Sequence, residues 1–164
     1  MAALTAGMKA PDFSLASLDG GNFSLQEALQ RGPVFVAFFK VSCPVCQYAF
    51  PYFERVYKAQ GGKASFVAIS QDNARDTAAF LKEFEVTFRT LLDDPNGYAV
   101  SNAYGLTNVP TWFLIGQDGT IELSSVGWSK TDVEELNARL AEAGKASTAP
   151  LFHAGEDVRD FRAG

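Results

Sequence analysis

Val34-Phe-Val-Ala-Phe-Phe39 runs directly into Lys40-Val-Ser-Cys-Pro-Val-Cys46, and this junction decides the fold. Six consecutive apolar residues, rich in β-branched and aromatic side chains, read as a strand buried on both faces. They are far short of the roughly 20 residues a membrane-spanning helix needs. Beyond the junction, Val45, Ala49, Phe53, Val56 and Tyr57 recur at helical spacing until Gly61 and Gly62 stop the pattern. Pro51 has no backbone N–H and is expected to bend or interrupt that helix. The order is therefore strand, loop, helix, with two thiols at the helix entrance. Cys43 falls at or just before the first turn, where unpaired backbone N–H groups favour a thiolate, and Pro44 suits a position that needs no donor. Cys43 is thus the expected attacking nucleophile. Cys46, one turn deeper, is placed to resolve a mixed disulfide.

Working outward, Pro11-Asp-Phe-Ser-Leu15 and Phe23-Ser-Leu25 flank a Leu18-Asp-Gly-Gly-Asn22 turn, which predicts a hairpin ahead of the main fold. Ser24 with Glu27 three residues later is a capping box for a brief helix from Leu25 to Gln30. Ala64 to Ile69 supplies another short strand, and Asn73 to Phe84 a helix with Ala74, Thr77, Ala78, Leu81 and Phe84 facing inward. Phe88 to Leu92 is a strand candidate, followed by a turn at Asp93 to Gly97 and a small helix from Ala99 to Tyr104. Thr111 to Ile115 and Thr120 to Val126, joined by Gly116-Gln-Asp-Gly119, should pair antiparallel. A last helix starts near Thr131, with Glu134 completing a capping box, and carries Val133, Leu136 and Leu140 as its apolar stripe. Alternating strands and helices predict an α/β fold with a central mixed β-sheet flanked by helices and an N-terminal hairpin extension.

The chain has 164 residues, 14 Lys and Arg against 19 Asp and Glu, and a formal net charge of −5, with no basic stripe to bind nucleic acid. One domain over residues 1–143 is expected, followed by a weakly ordered or docked tail at 144–164, because Lys145-Ala-Ser-Thr-Ala-Pro150 reads as a linker. Two cysteines cannot build a disulfide scaffold. Tetrahedral zinc needs four ligands, and this chain has no second cysteine pair and a single histidine, His153. No bound cofactor or metal is expected. The opening residues lack an apolar core after a positive stretch, so the expected setting is cytoplasmic; a periplasmic or extracytoplasmic one follows if a leader or anchor has been cleaved. The expected state is a monomer or weak dimer.

Taken in order, Pro11-Asp-Phe, Phe38-Phe-Lys-Val-Ser-Cys-Pro-Val-Cys46, Asp94-Pro-Asn-Gly97, Tyr104-Gly105, Val109-Pro-Thr111 and Phe113-Leu-Ile-Gly-Gln-Asp-Gly119 resemble the thioredoxin-like thiol-disulfide oxidoreductases. The likeness is to the TlpA and ResA branch of the AhpC/TSA (redoxin) group, and it spans Pro11 to Ala143. It implies a thioredoxin-like fold and reversible dithiol exchange through Cys43 and Cys46 on protein disulfides or thiols, recharged by an upstream thiol or disulfide partner. It further implies that Pro110 is a cis-proline facing the cysteines, that the Val109 backbone pairs with extended substrate, and that Pro44 and Trp112 border the substrate. Two departures matter. Ser42 stands where that branch commonly has a Trp, leaving Trp112 or Trp128 as substitutes for an aromatic lid, although each reads first as a core or rim aromatic. Ala37 stands where thioredoxin resembles a buried-carboxylate enzyme, so no side chain there moves protons. Glu54 or Glu83 could approach the sulfur pair and assist proton movement, but both read first as solvated helix-face residues.

Two other readings fit the same residues. The Cys43 to Cys46 segment also resembles the peroxiredoxin Thr-x-x-Cys segment, which would make Cys46 peroxidatic and Cys43 resolving. Pro110 stands where that family is expected to carry its active-site Arg, and Arg89 reads as a strand-end residue. A redox-regulated binding module would keep the fold without turnover.

Overall fold

The computed structural model describes residues 2–143 and 151–164. The linker expectation at Lys145 to Pro150 lies outside the described residues.

Two short strands, β1 (Ser14–Ala16) and β2 (Asn22–Ser24), form the N-terminal hairpin and lead into α1 (Leu25–Leu29), whose first turn is capped by the Ser24 hydroxyl accepting from Glu27 N–H. β3 (Val34–Phe39) precedes α2 (Pro44–Gln60), β4 (Ser65–Ser70), α3 (Ala74–Glu83), β5 (Arg89–Leu92) and α4 (Ala99–Ala103). β6 (Thr111–Ile115), β7 (Ile121–Val126), β8 (Trp128–Ser129), α5 (Lys130–Ala143) and β9 (Phe161–Arg162) complete the order. The main sheet runs β5-β4-β3-β6-β7, parallel across β5, β4 and β3 and antiparallel from β3 to β6 and from β6 to β7. The fold is thioredoxin-like, an α/β domain around a mixed sheet.

β3 sits at the centre, and its alternation explains why all six of its residues are buried. Phe35, Ala37 and Phe39 face a core shared with Ala49, Phe50 and Phe53 of α2 and with Val133 and Leu136 of α5. Val34, Val36 and Phe38 face a second core with the hairpin, α1 and Tyr104. Both faces being covered, the strand is apolar throughout. Phe35 holds the first core, its ring 5.0 Å from Phe66, 5.4 Å from Phe53 and 5.6 Å from Trp112. Phe35→Ala is expected to cost about 3–5 kcal/mol through lost burial and a residual cavity, read as a lower denaturant midpoint at unchanged slope.

Three local expectations are corrected. On α3, Ala74 and Ala78 are exposed whereas Phe80 is buried at 3% exposure. The large ring sets the rotation of the helix, giving a stripe through Thr77, Phe80, Leu81 and Phe84. α5 is capped two residues earlier than Thr131, by the Ser129 hydroxyl accepting from Asp132 N–H at 3.2 Å. α2 runs through Pro51 as one 17-residue helix.

Residues 151–164 lie against α2 and β8. Arg55 grips Glu156 with two nitrogens at 2.8 and 2.7 Å and also donates to the Leu151 carbonyl at 2.8 Å. This fork holds the Glu156 carboxyl down at about 2. Trp128 Nε1 donates to Arg159 O at 2.6 Å, and Arg159 N–H donates to the Tyr48 hydroxyl at 2.9 Å. β9 then pairs antiparallel with β8. Gly127 makes this approach feasible: its φ is +77°, and a methyl there would run into the Arg162 carbonyl.

Candidate active site

The parallel strands deliver their C-terminal ends to one rim of the sheet, where loops collect. At the end of β3 the chain turns so that Cys43 becomes the N-cap of α2 and Pro44 heads the first turn, exposed at the rim. Cys43 Sγ accepts from Cys46 N–H at 3.1 Å, occupying the place that a serine or aspartate oxygen takes at most helix starts. The loop ahead of it is pinned on both sides of Val41. Its N–H donates to Asp72 Oδ2 at 2.8 Å, and its carbonyl accepts from Gln47 Nε2 at 2.9 Å. Asp72 is set in turn by donating its N–H to the Ser70 hydroxyl at 3.0 Å.

Across from the cysteines stands the Val109–Pro110 bond, which is cis, as the resemblance implied. Cys43 Sγ–H donates to the Val109 carbonyl at 3.3 Å. Thr111 Oγ1 holds the Asn108 carbonyl at 2.8 Å, and Gly127 N–H holds that of Pro110 at 2.7 Å. Cys43, Cys46, Val109 and Pro110 are therefore brought together from positions 66 residues apart.

Both cysteines are free, and their environments differ. The Cys46 thiol donates to Cys43, and against the opposing effect of burial this lowers the Cys43 thiol to about 6. The N–H groups of Cys46 and Val45 and the positive charge of Arg162 add to that lowering. Cys46 is fully buried, and burial is the main cause pushing its thiol far above the ordinary range, helped by its bond to Cys43 and by Asp72. One sulfur is accessible and acidic; its neighbour is enclosed and protonated.

Trp112, expected beside the substrate, lies in the core. It is 1% exposed and packs on Phe35 and Phe53 inside the core, because its register opposite Ala37 turns the indole toward α2. Trp128 is likewise fully buried, between Tyr48 and Tyr52, so neither indole is a lid. Glu54 is buried rather than solvated, accepting from Thr87 N–H at 2.8 Å and Thr87 Oγ1 at 2.5 Å, while Glu83 is exposed as expected. Arg89 bonds to Ser17 of the hairpin at 3.0 Å. The sequence reading missed Asp72, Gln47 and Arg162. Asp72 alone carried a signal, a short carboxylate just past the C-terminal end of a parallel strand.

A helix headed by an acidic thiol, a second thiol buried one turn on and a cis-proline opposite define a thioredoxin-fold dithiol protein. The chain belongs to the Redoxin family, which matches residues 5–140. It is similar to the thiol-disulfide oxidoreductase ResA of Geobacillus thermodenitrificans (strain NG80-2), 30% identical over 137 residues that cover 81% of this chain and 76% of the relative. The thioredoxin-like protein YneN of Bacillus subtilis (strain 168) is 29% identical over 134 residues, covering 79% and 76%. Among solved structures, a candidate thiol:disulfide interchange protein DsbE from Chlorobium tepidum superposes with a TM-score of 0.70 at 31% identity, covering 85% of this chain and 98% of that one.

Proposed function

We propose that the protein is a thiol-disulfide oxidoreductase acting on protein disulfides and thiols, with Cys43 as nucleophile and Cys46 as resolving thiol. The observation that carries this is the position of Cys43 Sγ, between the Cys46 N–H and the Val109 carbonyl at the head of α2. The Cys43 thiolate attacks one sulfur of a substrate disulfide. A bond forms between Cys43 and that sulfur, the substrate S–S bond breaks, and the second substrate sulfur leaves as a thiolate that takes a proton from solvent. Cys46 then loses its proton and attacks Cys43, releasing the first substrate sulfur and closing the Cys43–Cys46 disulfide. Two electrons pass to the substrate, and an upstream dithiol restores the pair. With an oxidising partner the same steps run in reverse. The Val109 backbone offers an extended substrate its main-chain partners beside the reacting sulfur.

ResA and the other relatives that carry the oxidoreductase name support this reading, as does the burial of Cys46. A peroxidase would need Cys46 as the attacking thiolate, and burial opposes both access and ionisation there. The test is matched turnover of insulin disulfides and of hydrogen peroxide by wild type, Cys43→Ser and Cys46→Ser. The expected result is disulfide reduction that Cys43→Ser abolishes. Fast, saturable peroxide turnover that survives Cys43→Ser and dies in Cys46→Ser would establish the peroxidase instead.

A further inference from the structure

Residues 159–164 reach the active site from a part of the chain that the family match, ending at residue 140, does not include. Three contacts place them there. β9 pairs with β8 so that Arg162 lies opposite Trp128, and the Arg162 guanidinium stacks 5.0 Å from the ring of Tyr48, two residues beyond Cys46 on α2. Arg162 O closes on Gly127, whose own N–H is bonded to Pro110 O. Asn108 Nδ2 donates to Gly164 O at 2.9 Å, and a methyl at Gly164 would come within 2.7 Å of Val109 O, the acceptor of the Cys43 thiol.

We propose that Arg162 is a positioning residue for the exchange reaction: the strap pinned by the Arg55–Glu156 fork holds its guanidinium over Tyr48, in the first turns of the helix that Cys43 heads, and from there its charge acts on the attacking sulfur. The proposal rests on Cys43 being the nucleophile. Cys46 from α2 and Arg162 from β9 act on that sulfur, and Tyr48 of α2 lies under the guanidinium; Asp72 from the loop after β4 and the backbone of Lys40 after β3 act on the neighbouring Cys46 sulfur, and residues 105–109 bring no titratable group. Arg162 is the strap's contribution to this set, and its positive charge acts on Cys43 in the direction of ionisation. It is half-buried, so its influence is screened by salt but not abolished.

The experiment is the pH dependence of Cys43 alkylation by iodoacetamide in the reduced full chain, at low and high salt. Arg162→Gln is expected to raise the midpoint by about 0.5 unit at low salt, and the difference from wild type should shrink in roughly 1 M salt. Arg162→Lys should keep most of the wild-type midpoint. Glu156→Gln keeps the Arg162 side chain but weakens the fork that pins the strap, so it should raise the midpoint in the same direction by letting the guanidinium move away. Superimposable low-salt profiles for wild type and Arg162→Gln overturn the proposal. So does a shift in Glu156→Gln without one in Arg162→Gln, which would mean that the strap acts by covering the sulfur rather than by its charge. Insulin turnover by wild type and its loss in Cys43→Ser test the nucleophile assignment separately, so a failure there is distinguishable from a failure of Arg162.

Discussion

Cys46→Ser is expected to stop multiple turnover while leaving the first chemical step intact, so that substrate accumulates on the enzyme through a Cys43 mixed disulfide. Cys43 keeps its place at the head of α2, the N–H groups of Cys46 and Val45 still point at it, and it still attacks. What is lost is the internal thiol that would displace the substrate. Steady-state disulfide reduction should fall by roughly 10³-fold or more, the scale on which removal of one member of a reacting pair is felt. Cys43→Ser should fall as far but trap nothing. Non-reducing electrophoresis and intact mass separate the two, since the Cys46→Ser adduct carries the mass of one substrate chain and is released by dithiothreitol. A mixed disulfide on Cys46 in the Cys43→Ser protein would reverse the assignment of roles.

Alkylation of the reduced protein is expected to modify Cys43 and spare Cys46, with a titration centred near pH 6. An ordinary thiol with the reference value of 9.0 would at that pH carry about one thiolate in a thousand, whereas Cys43 is half ionised, a gain of about 500-fold. A more acidic thiol is a weaker nucleophile, and over three units this offsets roughly 20-fold, leaving a net advantage of roughly 20-fold at pH 6. The rate should climb tenfold per unit below pH 6 and level off above it, while the same residue in denaturant climbs to pH 9. The sign for stability follows from the same shift. The folded value lies below the unfolded one, so ionisation of Cys43 stabilises the reduced fold above pH 9, and this contribution is lost as pH falls through 6. Peptide mapping after a brief exposure at pH 7 checks the selectivity. Equal labelling of both cysteines would show that Cys46 is not enclosed.

The centre of the fold was legible because two periodicities meet at one place. A six-residue apolar run rich in β-branched and aromatic side chains reads as a strand covered on both sides, and the stripe that follows it as a helix, which places the thiols between them at a helix start. The cis-proline came from resemblance rather than from spacing. Trp112 shows where pattern is silent: β6 is buried on both faces like β3, so alternation does not say which neighbours an aromatic meets, and an indole that could equally serve core, rim or substrate is in the core. Glu54 did leave a trace, since it falls within the stripe of Phe50, Phe53 and Tyr57, and a carboxylate at such a position must find donors, which Thr87 supplies. The strap left almost none. Its attachments are an ion-pair fork, bonds to main-chain atoms and scattered apolar contacts of Leu151, Phe152 and Val158, and such contacts impose no repeat on Leu151 to Arg162.

The Val109 carbonyl has one more consequence. It accepts from the Cys43 thiol only while that sulfur is protonated, and in the proposed reaction it also lies beside the substrate main chain. An incoming peptide N–H and the thiol hydrogen would then draw on one carbonyl oxygen, and each weakens the bond of the other. By reciprocity, whatever occupies that oxygen destabilises the protonated sulfur and lowers its affinity for hydrogen ions, while ionisation of the sulfur tightens the hold on the peptide. Docking is in this sense a proton-releasing event, and the enzyme arms its nucleophile most fully when something is there to be attacked.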